Sequence, residues 1–148
     1  MNYLFLDIDG VMVGFSDRKK YNRGIKWNDF WIPERTLALL KELYTEFRPR
    51  IVITSTWRKN FDAMRYLYKT FEDNGIKIWG KLANRGEKEE LIKDYIKKLE
   101  EFYLQDNKLK YIVLDDCNFN ITNFIKVDSY EGLTEKDIDK IKKIYNKE

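Results

Sequence analysis

Apolar residues in this chain fall into two alternating patterns, short compact runs and longer stretches with a helical period. Tyr3 to Ile8 is a compact run that stops abruptly at Asp9-Gly10, and Arg50-Ile51-Val52-Ile53-Thr54 is β-branched and equally short. Lys110 to Leu114 repeats the profile and ends in Asp115-Asp116. Short continuous runs of this kind predict strands covered on both faces, as in a parallel sheet. Ile76 to Trp79 and Phe124 to Val127 are two further strand candidates. Between the runs lie one-sided helical patterns. Leu37, Leu40, Leu43, Tyr44 and Phe47 share a face in a segment opened by Pro33 and stopped by Pro49. Met64, Leu67, Tyr68 and Phe71 do so over 61–73, closed by Asn74-Gly75, and Leu91, Ile92, Tyr95, Ile96 and Leu99 over 87–104. A last helix runs from Thr134 to Tyr145, with Thr134 as cap and Asp137 three residues on. Residues 14–30 have no sustained period and read as an excursion, a hairpin flap; Gly80 to Gly86 reads as loop.

Strand alternating with helix predicts an α/β unit, a parallel sheet wrapped by helices on both faces. Neither a repeat nor a linker composition interrupts the pattern, so residues 1–148 are expected to form a single domain. Hydrophobic residues at 43% and charged residues at 36% exclude a disordered tail and a membrane protein. No apolar run approaches the roughly 20 residues that a membrane span needs, and the N-terminus lacks the pattern of a signal peptide. The single cysteine, Cys117, rules out an internal disulfide and fits a reducing compartment, so a cytoplasmic location is expected. The net charge of +3 suits an anionic substrate, although solvated lysine faces give the same total.

The absence of histidine narrows the chemistry further. It removes Ser-His-Asp and Cys-His catalysis, His-ligated zinc and the usual general base. Catalysis must then run on carboxylates, hydroxyls, lysine or arginine, with a hard cation that prefers oxygen ligands. In open parallel sheets the active site forms beyond the carboxyl ends of the strands. Three strands here end in polar clusters: Asp7-Ile8-Asp9-Gly10, Thr54-Ser55-Thr56 and Asp115-Asp116. Carboxylates converging there repel one another unless a cation such as Mg²⁺ holds them. Asp7 and Asp9 can aim at one point only if the chain turns at once, which Gly10 permits. A carboxylate nucleophile splits hydrolysis into two steps, and its neighbour serves first as acid and then as base. Thr54 and Ser55 either bind phosphate oxygens or cap the next helix. A positive side chain must balance a transferring phosphoryl group. Lys81, Arg85 and Lys88 lie near the start of the helix before the Asp115 strand, and Arg58 is a candidate substrate contact. Trp57 reads as core or lid packing rather than a stacking platform.

Taken in order, Asp7-Ile8-Asp9-Gly10-Val11, Ile51-Val52-Ile53-Thr54-Ser55, a basic residue opening a helix, and Leu114-Asp115-Asp116 resemble the haloacid dehalogenase (HAD) superfamily of phosphohydrolases. The chain is most similar to the small HAD domains of RNA-repair proteins of the Swiss army knife type. That likeness extends to Thr54-Ser55-Thr56-Trp57-Arg58, Arg85-Gly86 and Val127-Asp128 through Gly132-Leu133-Thr134, nearly the whole chain. The resemblance implies a Rossmann-like three-layer sandwich with a small flap after the first strand and no cap domain. It implies Asp7 as nucleophile and Asp9 as proton donor, and Mg²⁺ held by Asp7, the Asp9 main chain, Asp115 and Asp116. Thr54 or Ser55 would bind phosphate, and Arg85, ahead of Lys88, would be the basic residue. Cys117-Asn118-Phe119-Asn120 departs from the pattern, because relatives often carry another acidic residue there.

A site without a cap is open, which suits a bulky substrate such as a nucleic-acid 3′ or 5′ end. The flap carries Phe15, Arg18, Lys19, Lys20, Tyr21, Arg23, Lys26 and Trp27, which could grip a polynucleotide or simply form a packed hairpin with a wet basic face. Three other functions compete. One is a nucleotide or small phosphometabolite phosphatase. Another is a catalytically inactive fold that binds nucleic acid or protein. A signalling receiver domain fits poorly, since its acceptor aspartate ends the third strand and Trp79-Gly80 stands there.

Overall fold

Five strands pair in parallel in the order β3-β2-β1-β4-β5, so the chain starts at the centre of its own sheet. The computed structural model describes residues 1–20, 30–103 and 108–147. The strands are β1 (Asn2–Leu6), β2 (Arg50–Ile53), β3 (Ile78–Lys81), β4 (Lys110–Asp115) and β5 (Phe124–Lys126). The helices are α1 (Phe15–Lys20), α2 (Glu34–Phe47), α3 (Phe61–Asp73), α4 (Lys88–Phe102) and α5 (Glu135–Tyr145), with a 3₁₀ turn at Thr56–Lys59.

Alternation along each strand sends side chains to two separate cores. Leu4, Leu6, Ile51, Ile53, Ile112 and Leu114 pack with α2, α3 and α5 on one face. Tyr3, Phe5, Val52 and Val113 pack with Ile92, Ile96 and Leu99 of α4 on the other. This is the Rossmann-like three-layer arrangement the sequence predicts. Among the described residues, β1 is followed only by α1 before α2, and β2 and β4 are separated by the 3₁₀ turn, α3, β3 and α4, with no cap domain between them. None of the described helices is long and apolar enough to cross a membrane.

Two elements differ from the sequence reading. The third strand begins at Ile78 rather than Ile76, because the Ile76 N–H donates to Phe71 O (2.9 Å) and so completes the C-terminal cap of α3. Residues 15–20 form a helix rather than the arm of a hairpin. The Gly14 N–H donates to Asp17 Oδ2 (2.9 Å), so Asp17 supplies the side-chain half of a capping box, and the Asp17 N–H donates to Gly14 O. The rest of the expected flap, with Tyr21, Arg23, Lys26 and Trp27, lies outside the described residues.

The Val127–Thr134 block braces the loop after β1. Leu133 N–H donates to Val11 O (2.7 Å), and Phe15 and Ser16 donate to Ser129 O and Tyr130 O. Arg35 ties the same parts together, pairing with Asp17 (2.8 Å) and donating to Leu133 O and Glu131 O.

Candidate active site

Strand register brings three polar tips level. Leu6 pairs with Ile53 on one side and Leu114 on the other. Asp7, Thr54 and Asp115 are therefore the next residues out on three adjacent strands. The ladder continues through them, with Asp7 N–H to Leu114 O (3.1 Å) and Thr54 N–H to Leu6 O (2.9 Å). Their side chains extend the rows of Phe5, Val52 and Val113, which face α4. The strand order reverses direction between β1 and β4, the place where ligands sit in open α/β sheets.

Lys88 opens α4 above this row. Its ammonium lies 3.0 Å from Asp7 Oδ1 and 2.7 Å from Asp115 Oδ2. A cation in the first turn of a helix opposes the helix dipole by about 0.3–1 kcal/mol, so carboxylates must hold it there. Burial pushes Lys88 towards the neutral form, yet Asp7 and Asp115 outweigh it and keep its pKa above the ordinary value. Asp7 and Asp115 are almost inaccessible to solvent, at 5% and 0% exposure. Burial pushes the Asp7 carboxyl up to about 7; Lys88 pulls it down, while Asp115 and Asp116 add to the rise. Asp116 is half-buried and is also raised, by burial and then by Asp115.

After Asp7 the chain curls at once. Ile8 O accepts from the N–H groups of Val11, Met12 and Val13, and Gly10 takes a φ of +79°. A Cβ at Gly10 would also collide with the Asp116 carboxylate, so this position needs glycine twice over. The curl brings Asp9 out to solvent. Its Oδ2 accepts from Trp57 Nε1 (2.9 Å), and its Oδ1 lies 3.4 Å from Arg18 Nη2. Trp57 is buried, with Phe30 and Tyr66 against its ring. Packing is thus what the sequence anticipated for Trp57, but its contact with Asp9 was not foreseen. Nothing in the spacing of two residues 48 apart signals that bond.

The alternatives left open for Thr54 and Ser55 separate. Ser55 caps the 3₁₀ turn, its hydroxyl accepting from Trp57 N–H (3.2 Å). The Thr54 hydroxyl is buried with no hydrogen-bond partner among the described residues. Arg58 is anchored to the main chain. Only 3% exposed, it donates to Thr54 O (2.8 Å), Ser55 O (3.1 Å) and Ala83 O (3.0 Å). Its Nε and Nη1 tie the β2 tip to the β3–α4 loop. Of the two basic residues expected near the helix start, Arg85 is exposed in the loop and Lys88 reaches the carboxylates. Lys88 is the first residue of α4, and its side chain reaches the strand tips.

Three carboxylates, Asp7, Asp115 and Asp116, cluster in a largely buried site, and the Lys88 ammonium pairs with the first two. Such a surplus of negative charge is costly unless a further cation joins it, and an all-oxygen donor set suits Mg²⁺. Donor atoms of Asp115, Asp116 and Cys117 lie within 4.8 Å of one another. The thiol is the poor member of that trio. Burial, then the neighbouring carboxylates, hold Cys117 towards its protonated form, and a hard cation prefers oxygen.

The central β1, its buried terminal aspartate and the second acidic tip on β4 define a HAD-type α/β domain, with phosphatase-type chemistry. Residues 3–138 match the family described as the HAD domain in Swiss Army Knife RNA repair proteins, and the chain belongs to that family. Neither the curated proteins nor the solved structures give a match.

Proposed function

We propose that this domain is a Mg²⁺-dependent phosphomonoesterase that works through an aspartyl-phosphate on Asp7, with phosphorylated nucleic-acid ends as its substrates. The observation that carries the reading is Lys88 bridging two buried carboxylates, Asp7 and Asp115, at the point where the strand order reverses. An Asp7 oxygen attacks phosphorus, and the bond to the leaving oxygen breaks as Asp9 protonates that oxygen. Water then attacks the same phosphorus, Asp9 takes its proton, and the bond to Asp7 breaks to release phosphate. Trp57 and Arg18 orient Asp9 for both proton transfers. Lys88 balances charge on the transferring group, and the Thr54 hydroxyl is available to a phosphate oxygen. Asp7, Asp115, Asp116 and the Asp9 main chain would hold Mg²⁺, which when bound supplies positive charge against both the carboxylates and the phosphoryl oxygens.

Phosphate release from 3′- and 5′-phosphorylated oligonucleotides, measured beside mononucleotides and with or without EDTA, tests this function. Release from oligonucleotide ends that stops on chelation is expected. Faster release from mononucleotides would transfer the activity to the nucleotide reading, and release indifferent to EDTA would remove the metal.

Lys88→Met is expected to lower kcat by roughly 10²–10³. It should also destabilise the metal-free protein by about 3 kcal/mol, because it strands buried carboxylates without their cation. Steady-state kinetics and urea unfolding in EDTA would check both effects, and a variant matching the parent in both would deprive Lys88 of its role.

A further inference from the structure

A groove of about 640 Å³ lies between α3 and the β3–α4 loop, on the edge-strand side of the site. Lys59, Arg65, Lys69 and Lys81 line it, and among the described residues none of the four forms an ion pair. Glu72 is the one carboxylate in its lining. It sits about 16 Å along α3 from the helix start, at the end away from the site. The groove's other end opens at the carboxyl edge of the sheet. Lys81 is in register with Ile53, the residue before Thr54, and its ammonium donates to Arg58 O (3.1 Å). Two strand spacings place the end of β3 roughly 10 Å from that of β1, so the groove starts next door to Asp7.

The wall of the groove is one stripe of α3. Phe61, Arg65, Tyr68 and Lys69 follow helical spacing on the face opposite the buried Ala63, Leu67 and Phe71. Phe61 is 80% exposed and Tyr68 48% exposed. Cations interleaved with exposed rings suit a polyanion that also carries flat apolar faces, which is the chemistry of an unpaired polynucleotide. A duplex offers no free base to such rings.

We infer that this groove is the track for the single-stranded polynucleotide whose terminal phosphate reaches Asp7. Backbone phosphates lie on Lys59, Arg65, Lys69 and Lys81, and a base stacks on Phe61. The inference rests on the phosphatase reading for the reacting end, but the binding itself is measurable without hydrolysis.

The test is fluorescence anisotropy of a labelled single-stranded oligonucleotide lacking a terminal phosphate, titrated with the full chain at several salt concentrations. In the triple variant Lys59→Gln, Arg65→Gln, Lys69→Gln, affinity should fall at least about tenfold, and the salt slope by about 0.7 per lost contact, roughly 2 in all. Phe61→Ala should weaken binding about tenfold with the slope unchanged. Turnover of an aryl phosphate should stay at the parent level in both. Equal affinity and slope in the parent and triple variant would overturn the track while leaving the phosphatase intact. So would displacement of the oligonucleotide by polyglutamate at matched charge, which would assign the groove to acidic protein. Loss of binding in the triple variant, with no aryl phosphate turnover even in the parent, would uphold the groove and sink the phosphatase reading.

Discussion

Asp7→Asn is expected to abolish Mg²⁺-dependent hydrolysis of an aryl phosphate, lowering kcat by roughly 10⁴-fold or more, with the fold intact. The amide has no anionic oxygen to offer phosphorus, and no other side chain in the described site is placed to replace it. The fold does not depend on the lost charge. Strand pairing at this tip runs through the Asp7 N–H, which the substitution keeps. Burial already opposes ionisation of Asp7, and Asp115 and Asp116 add repulsion. The metal-free variant should therefore melt no lower than its parent. Near-normal turnover would rule Asp7 out as nucleophile, whereas a collapse in melting temperature would leave lost activity uninformative and contradict the packing argument.

Asp9→Asn should slow the reaction by on the order of 10²–10⁴, the usual worth of a positioned acid–base group. Asparagine can still accept from Trp57 Nε1, so the side chain should keep its place and lose only its proton chemistry. That separation yields a finer signature. Because kcat/KM reports the step that forms the aspartyl-phosphate, the loss should be large for an alkyl phosphate, whose leaving oxygen needs a proton. It should be much smaller for a nitrophenyl phosphate, whose phenolate leaves unaided. Equal losses on both substrates would make Asp9 a structural residue, and an unchanged rate would remove it from the chemistry.

The parts of the site set by strand ends were legible before any coordinates. A buried strand must end somewhere, and a polar cluster at that end lies at the sheet edge in any parallel α/β fold. Asp7, Thr54 and Asp115 follow from that rule, and register then sets them side by side. The parts set by helix rotation and by long-range packing were hidden. Choosing Lys88 over Arg85 depends on where α4 begins, and Arg85 lies in the loop before its first residue. Arg58 looks like any of the 28 basic residues until its guanidinium is found among main-chain carbonyls. The Trp57–Asp9 bond links two loops whose meeting no local pattern records. The helix at Phe15–Lys20 had a readable signal, Gly14 followed three residues on by Asp17, outweighed by the lack of apolar period in a six-residue element.

A covalent phosphate on Asp7 is the feature that everything else about the site serves. Acid-quenching the parent protein during turnover, followed by peptide mass spectrometry, reads it directly. The account predicts a phosphoryl group on Asp7, removed by hydroxylamine as an acyl phosphate should be and missing when Mg²⁺ is chelated. Rapid turnover with Asp7 unmodified, or with the phosphate on another residue, would contradict it.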